Sequence, residues 1–436
     1  MKHSPAPAPL DGPPLDGPIA YLTGEYPKVS HTFILREVES LRASGQRVIT
    51  CSIRKPAANF KGQEEIKARA ETFFVIAAAK NPLRMLTAHG RALRQSPGRW
   101  FSTFRLALKT RPPGLKALLW QLFYFAEAGV LADHLRQNGV RHLHNHFGNS
   151  SCSVAMLTSG LSGIPFSFTE HGPDIFFQAD RWALDEKIAR ARFVVAIIHF
   201  CRSQLMLFSK PAHWNKITIV HCGVDPAAYG QKPRGAFGKR VIFVGRLDPV
   251  KGATLLIEAM AKVLATHPDS RLTVVGDGSS RAMAEAKAAD LGITPSVTFA
   301  GFQSQGAVAA MLEEADMLVL PSFAEGVPVV LMEAMASRIP VIASRVAGVQ
   351  ELVEDGVSGF AIPPGDVATL AERIGQLMAN PAMAEEMGRA GRQMVEQEFD
   401  IAREGLWLAE IFRNGGAGGR LRSGGATLTA GMVKAP

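Results

Sequence analysis

The residues best suited to chemistry are a few charged side chains set beside apolar runs. Glu325 and Glu333 stand in Ala324-Glu325-Gly326-Val327-Pro328-Val329-Val330-Leu331-Met332-Glu333-Ala334-Met335-Ala336-Ser337. The preceding run, Asp316-Met317-Leu318-Val319-Leu320, reads as a buried parallel strand, and Pro328 suits the first turn of the helix that follows. That helix, from Val327 to Ser337, is apolar on nearly every side except at Glu333, so this carboxylate needs a partner. Glu325 falls in the loop, and both carboxylates can look into one crevice at the strand's carboxyl end. The plainer alternative is a helix-start charge plus a core Glu paired with an Arg. A second set lies in Gly245-Arg246-Leu247-Asp248-Pro249-Val250-Lys251-Gly252, where Arg246 and Lys251 bracket the start of a helix. Two cations with helix-start amides between them suit a diphosphate leaving group, although two solvated loop charges are the alternative. Gly276-Asp277-Gly278 allows close backbone approach to a base or ribose, and by itself is a turn signal. His171, in Glu170-His171-Gly172-Pro173-Asp174, follows a buried strand directly and is placed to meet a ligand or to cap a turn. His142, His144 and His146 alternate along another strand, but no carboxylate or Cys stands at ligand spacing nearby.

The elements that must position these groups alternate strand with helix. In the first half, strands are expected at Ile19–Leu22, Val48–Cys51, Phe73–Val75, Val140–Gly148, Pro165–Thr169, Phe193–Ile198 and Ile217–Val220. Ser30 or Thr32 is expected to cap the helix after the first strand, leaving amides that can receive an anion or a sugar hydroxyl. In the second half, strands recur at Val241–Val244, Leu272–Val275, Val297–Phe299, Met317–Leu320 and Pro340–Ala343. Alternation of this kind builds a doubly wound parallel sheet. The expected division is a disordered Pro-rich leader over 1–18, domains over 19–225 and 240–412, a linker over 226–239, and a disordered Gly-rich basic tail over 413–436.

Composition narrows the function. A chain of 436 residues is long for one core, and two domains follow naturally. No run of eighteen apolar residues and no signal-peptide pattern occurs, and Cys51, Cys152, Cys201 and Cys222 lack metal or redox spacing, so the expected location is the cytoplasm. The first loop of the second half lacks G-x-G-x-x-G and no Walker A motif is present, which disfavours a dehydrogenase or a P-loop ATPase. The charge balance is 48 − 39 = +9, and the excess is local. From Thr72 to Ala126 there is no acid, while nine basic residues mix with Trp100, Phe101, Phe104, Trp120, Phe123, Tyr124 and Phe125. Such a window suits an anionic membrane face better than nucleic acid; a solvated basic face over core aromatics is the alternative.

Together these motifs resemble the nucleotide-sugar-dependent retaining glycosyltransferases of family 4. The resemblance rests on Glu325 and Glu333 as E-x7-E, the Arg246 to Gly252 loop, Gly276-Asp277-Gly278 and Glu170-His171-Gly172, over Ile19 to about Phe412. The first half is similar to the exopolysaccharide branch of colanic-acid type through Tyr26-Pro27, Thr32-Phe33-Ile34 and His144-Asn145-His146-Phe147. The resemblance implies an α/β chain of GT-B fold, two Rossmann-like doubly wound domains facing an interdomain cleft. It implies that Arg246 and Lys251 hold the donor diphosphate, with Glu333, Gly276, Asp277 and Gly278 at ribose and base. Glu325, Gly326 and Val327 would hold the donor sugar, His171 would lie near the anomeric carbon, and Ser30, His31, Thr32 and Asp174 would face the acceptor. His31 stands where that branch usually has a carboxylate, and Ile198 where it has a Ser. No metal or other cofactor is expected, because the two cations do the work of a divalent ion. The expected partners are a nucleotide-sugar, a lipid-linked saccharide acceptor and an anionic membrane surface. A sugar-nucleotide epimerase or hydrolase of the same fold, or a non-catalytic sugar-nucleotide-binding scaffold, remains as an alternative.

Overall fold

The computed structural model describes residues 17–415, apart from 29–30, 58–59, 61, 232–234 and 236, together with 422–423 and 426–427. The chain divides into two compact units, one of 1–221 with 402–436 and one of 222–401.

Unit 1 begins with β1 (Ile19–Glu25), α1 (Thr32–Ala43), β2 (Val48–Arg54), α2 (Gln63–Glu71), β3 (Phe73–Phe74) and α3 (Val75–Ala79). Three helices follow, α4 (Pro82–Gln95), α5 (Pro97–Lys109) and α6 (Leu115–Gln137), before β4 (His142–His146) and α7 (Ser150–Ser162). The unit continues with β5 (Phe166–Glu170), α8 (Leu184–Arg190), β6 (Val194–Ala196), α9 (His199–Leu207) and β7 (Ile217–Ile219). Its sheet is ordered β3-β2-β1-β4-β5-β6-β7 and every pair is parallel.

Unit 2 holds β8 (Arg240–Val244), α10 (Ala253–Thr266), β9 (Arg271–Val275), α11 (Arg281–Asp290), β10 (Val297–Gly301), α12 (Gln305–Glu314) and β11 (Met317–Leu320). After these come α13 (Val329–Ala336), β12 (Val341–Ser344), α14 (Val349–Leu352), β13 (Gly359–Ile362), α15 (Val367–Ala379) and α16 (Pro381–Glu398). Here the parallel order is β10-β9-β8-β11-β12-β13. These are the two doubly wound Rossmann-like sheets of the expected α/β, GT-B class. Strand order reverses between β1 and β4 in unit 1 and between β8 and β11 in unit 2, and open sheets of this kind bind ligands beyond the strand ends at that reversal.

The boundaries differ from expectation in several places. The last helix, α17 (Ile401–Arg413), belongs to unit 1 from Ala402 onward rather than to the second domain. Its apolar stripe explains why: Leu408, Ile411 and Phe412 are buried in the core of unit 1 with Ile19, Tyr21 and Phe193. Trp407 Nε1 donates to Ile219 O at 3.0 Å, and a Cβ on Gly405 would stand 2.0 Å from Ser40 Oγ. The expected linker is partly ordered, since Arg392 Nη1 donates to the carbonyls of Pro226 and Tyr229 (2.7 and 3.0 Å) and Arg338 Nη1 to that of Gly230 (2.8 Å). Thr32 is the first residue of α1 rather than its cap, and His31 at the cap position makes no side-chain capping bond. Pro328 likewise takes the cap position of α13, because its ψ of 115° is extended, and the helix runs only from Val329 to Ala336. Val75 starts α3 instead of ending a strand. In the expected tail, Arg422–Ser423 pairs antiparallel with Ala426–Thr427. Arg413, placed in the tail by expectation, ends α17; the leader over 1–16 and the tail residues after Gly415, apart from those four, lie outside the described residues.

All five tryptophans (100, 120, 182, 214 and 407) fall in unit 1, so tryptophan fluorescence reports on that unit alone. Phe412→Ala empties a fully buried site and should cost unit 1 about 3–5 kcal/mol. The expected result is a clear fall in the denaturant midpoint of the fluorescence transition; an unchanged midpoint would show that α17 is not part of this core.

Candidate active site

In unit 2 the loops after β8 and β11 meet at the strand-order reversal. Lys251 Nζ donates to Glu325 Oε1 at 2.6 Å and Ser322 Oγ donates to the same oxygen at 2.7 Å, with Glu325 only 8% exposed. The approach depends on Gly252, whose φ is +66° and where a Cβ would lie 2.2 Å from Pro321 O. Gly326 and Val327 follow Glu325 directly, Val327 buried and Gly326 half-buried. Arg246 is turned outward against Asp248 with its side chain 67% exposed, so the two cations do not share one partner. Glu333 is buried on α13 and accepts from Tyr229 Oη at 2.9 Å, a hydroxyl where sequence reasoning allowed for an Arg.

Gly276 and Gly278 also make a close backbone approach within the chain. Their close approach is to the chain's own loop: a Cβ on Gly276 would stand 1.9 Å from Gly245 O, and one on Gly278 2.7 Å from Leu247 O. Leu247 N donates to Asp277 O and Ser280 N to Leu247 O, which ties the loop of Arg246 to the loop after β9. The Asp277 carboxylate is used locally, by Gly278 N (2.8 Å) and Arg281 Nη1 (3.2 Å).

In unit 1 the alternating histidines of β4 are all buried and hydrogen-bonded. Ser167 Oγ lies 2.6 Å from His142 Nε2 and 2.7 Å from His144 Nδ1, while His144 Nε2 meets Thr169 Oγ1 at 2.9 Å. His146 Nδ1 lies 2.7 Å from His171 Nε2, and His146 Nε2 lies 3.3 Å from Glu37 Oε1, which also accepts from Tyr21 Oη at 2.7 Å. Glu37, His144 and His146 bring possible metal-ligand atoms within 4.8 Å of one another. Both ring nitrogens of His144 are already committed to hydroxyls, however, and the cluster reads as a hydrogen-bonded network. The ring of His171 packs against those of Phe33 (4.6 Å) and Phe147 (4.7 Å), and His31 packs on Phe147 (4.9 Å) beside Thr32. His31 and His171 therefore share one aromatic cluster; Ser30 and the side chain of Asp174 lie outside the described residues.

The loop carrying Phe147 is held by two buried charges. Glu170 accepts from Gly148 N at 2.7 Å and His171 N at 3.1 Å, and burial pushes its pKa up to about 7. Lys187 Nζ donates to Gly148 O (2.7 Å) and Asn149 O (2.9 Å), and burial pulls its pKa down to about 8. Sequence reasoning missed Glu37, Lys187, Ser322 and Tyr229. Only Glu37 left a signal: it falls at the i+3 position of the buried stripe Ile34, Val38, Leu41.

The buried rings make the stability of unit 1 depend on pH. Burial holds His142 down at about 3, and holds His144 and His171 well below the ordinary value of 6.5. The stability from keeping them neutral is fully present above about 6.5 and is lost as pH falls toward the folded values. Glu170 acts with the opposite sign, its contribution being lost as pH rises from 4.5 through about 7. Burial likewise lowers His89 and His134 and raises Glu127 to about 7, so between about pH 4.5 and 6.5 five imidazoles oppose two carboxyls. Acidification over that range should therefore lower the melting temperature read by tryptophan fluorescence, and His142→Gln should make the slope shallower. A flat or rising profile would contradict the neutral assignment.

Residues 31–228 match the model described as Glycosyltransferase Family 4, and residues 232–394 match the one described as Glycosyl transferases group 1. Among curated relatives, the chain is 32% identical over 256 residues to the amylovoran biosynthesis glycosyltransferase AmsK of Erwinia amylovora, over 55% of this chain and 62% of the relative. It thus spans less than two thirds of that relative's length. It is 26% identical over 424 residues to the putative colanic acid biosynthesis glycosyltransferase WcaL of Salmonella typhimurium, over 91% of this chain and 99% of the relative. Among solved structures, it superposes on Anabaena HepE in complex with UDP with a TM-score of 0.69 and 19% identity, covering 91% of this chain and 100% of the other, a likeness of fold. In chain order, the protein is thus similar to a Glycosyltransferase Family 4 domain over 31–228 and to a glycosyl transferases group 1 domain over 232–394.

Proposed function

We propose that the protein is a retaining glycosyltransferase that moves a sugar from a nucleoside-diphosphate donor to a lipid-linked saccharide acceptor, in exopolysaccharide or cell-surface glycan synthesis on the cytoplasmic face of a membrane. The observation that carries this reading is the Lys251–Glu325–Ser322 contact at the strand-order reversal of unit 2. A carboxylate beside an ammonium at that place offers a double acceptor for sugar hydroxyls and a cation for a leaving diphosphate. When the diphosphate departs, negative charge grows where Arg246, Lys251 and the first amides of α10 act, and no divalent metal is required. Glu333 takes ribose hydroxyls, His171 acts at the sugar, and His31, Thr32 and Asp174 serve the acceptor. Relatives that act in amylovoran and colanic acid biosynthesis support the substrate class.

The donor is identified by a thermal-shift screen of UDP-, GDP- and ADP-sugars, since a ligand at about 100 times its dissociation constant stabilises by about 2.7 kcal/mol. With that donor, transfer should persist in EDTA and the product should keep the donor's anomeric configuration. Arg246→Ala and Lys251→Ala should each raise the barrier by about 2.7–4 kcal/mol, by analogy with loss of one oxyanion-hole donor. Wild-type rates in both variants, or loss of transfer on chelation with recovery on adding manganese, would defeat the clamp.

The membrane assignment is supported by the first half of α6. Leu115, Leu119 and Phe123 form an i, i+4, i+8 stripe with Trp120 alongside, all more than half exposed. Arg111 and Lys116 flank it, also exposed. This helix has the length and composition of a membrane span, but Phe125, Ala128, Leu131, Ala132 and Leu135 in its second half are buried in unit 1. The exposed half fits an anionic bilayer surface, where each basic side chain contributes about 1 kcal/mol. Vesicles containing phosphatidylserine should float the protein at low salt, and Trp120→Ala with Phe123→Ala should weaken this. Equal recovery with neutral vesicles would remove the membrane from the account.

A further inference from the structure

Phe147 holds a left-handed backbone with φ at +70°, a conformation that a bulky side chain rarely adopts. A strained residue persists only where its surroundings over-determine it, and such residues gather at working sites. Around Phe147 the surroundings are four hydrogen bonds on three successive peptide groups. Phe147 N donates to Thr169 O at 2.8 Å. The peptide between Phe147 and Gly148 is held at both ends, since Asn145 Nδ2 donates to Phe147 O at 2.7 Å and Gly148 N donates to Glu170 Oε2 at 2.7 Å. Lys187 Nζ then donates to Gly148 O at 2.7 Å. Only glycine suits position 148, because a Cβ there would stand 2.6 Å from Glu170 Oε2. Asn145, Glu170 and Lys187 are all buried, and burying a carboxylate and an ammonium is expensive.

What this arrangement presents is the half-buried ring of Phe147. Its centroid lies 4.9 Å from that of His31 and 4.7 Å from that of His171. His31 comes from the loop after β1, Phe147 from the loop after β4 and His171 from the loop after β5, and β4 stands between β1 and β5 in the sheet. The ring is therefore the middle member of three loops at one end of the sheet. We propose that Phe147 is a positioning residue whose ring sets the placing of His31 and His171, and that Asn145, Glu170 and Lys187 hold it in its strained backbone for that purpose. A role in packing alone would be served as well by a relaxed residue and would not call for two buried charges. The proposal rests on the transferase reading only in giving His31 and His171 parts in the reaction.

The test is a set of variants of the full chain, read by melting temperature, by histidine side-chain NMR and by the kinetics of nucleoside-diphosphate release from the donor found by thermal shift. Phe147→Gly should melt above Phe147→Ala, the reverse of the usual order, because glycine relieves a positive φ. Both should lose at least about tenfold in kcat with donor KM changed less than about twofold, whereas Phe147→Tyr, which keeps the ring, should retain most of the kcat. Lys187→Met keeps the ring and releases its loop. The imidazole signals of His31 and His171, assigned by their loss in His31→Gln and His171→Gln, should then both shift while kcat falls. Glu170→Gln gives the same reading if Lys187→Met does not fold. A Phe147→Ala protein that melts at or above Phe147→Gly overturns the proposal, as do unmoved imidazole signals in the Lys187 or Glu170 variant. Wild-type kcat in Phe147→Gly also overturns it, by leaving the ring a packing role alone. The expected melting order and imidazole shifts in a protein that transfers no sugar support the positioning and count against glycosyl transfer instead.

Discussion

A polar group buried without a partner is expensive, and that constraint organises unit 1. His142, His144, His146 and Glu37 sit where water cannot reach, so hydroxyls and neighbouring rings must replace it. Ser167 and Thr169 supply two hydroxyls from the adjacent strand because β4 and β5 run parallel with His144 opposite Ser167 and His146 opposite Thr169. Tyr21 comes from β1 on the other side, with Tyr21 opposite His144. A slip of one residue in either register would turn the whole ladder to the wrong face. Phe412 then closes over the ladder, its ring 5.3 Å from both His142 and His144. The end of the chain thus completes a core begun near its start.

Unit 2 solves the corresponding problem with backbone. Apart from Glu333 on α13, its candidate site residues lie on loops, and loops are precise only when something fixes them. Gly276 and Gly278 allow the loop after β9 to lie against Gly245 and Leu247, and Gly252 allows the start of α10 to reach Pro321. In each case a side chain would occupy the space taken by a carbonyl. The result places Lys251 on Glu325 across 74 residues of sequence.

How far these features could be read from sequence follows from their range. Strand and helix alternation is local, and the buried runs at Val241–Val244 or Met317–Leu320 stand almost where the sequence places them. Glu325 and Glu333 drew notice because a carboxylate in an apolar helix or beside one needs a partner. Their partners were not: Ser322 is an ordinary loop residue, and Tyr229 lies in a Pro- and Gly-rich stretch that reads as linker. The same limit hid the destination of α17, since periodicity shows that Leu408, Ile411 and Phe412 form one face but not which core receives it. Gly276-Asp277-Gly278 was noticed for close approach, but its intrachain partners Gly245 and Leu247 were not legible, because a turn signal carries no information about what comes near.

The two cations of unit 2 stand in different electrostatic settings, and the difference bears on the order of events. Arg246 and its partner Asp248 are exposed enough that solvent screens their attraction, so exchange of Asp248 for an arriving phosphate releases little and costs little. Lys251 and Glu325 are 19% and 8% exposed, and a nearly buried pair is balanced only while both members remain. Moving Lys251 to a diphosphate alone would leave the buried Glu325 without its ion-pair partner. The exchange becomes favourable only if the sugar arrives in the same step and its hydroxyls, with Ser322, take over the carboxylate. If the protein is the transferase proposed above, a bare nucleoside diphosphate would engage Arg246 readily and Lys251 poorly, whereas the intact donor would engage both, so the pair would discriminate for a ligand that carries phosphate and sugar together.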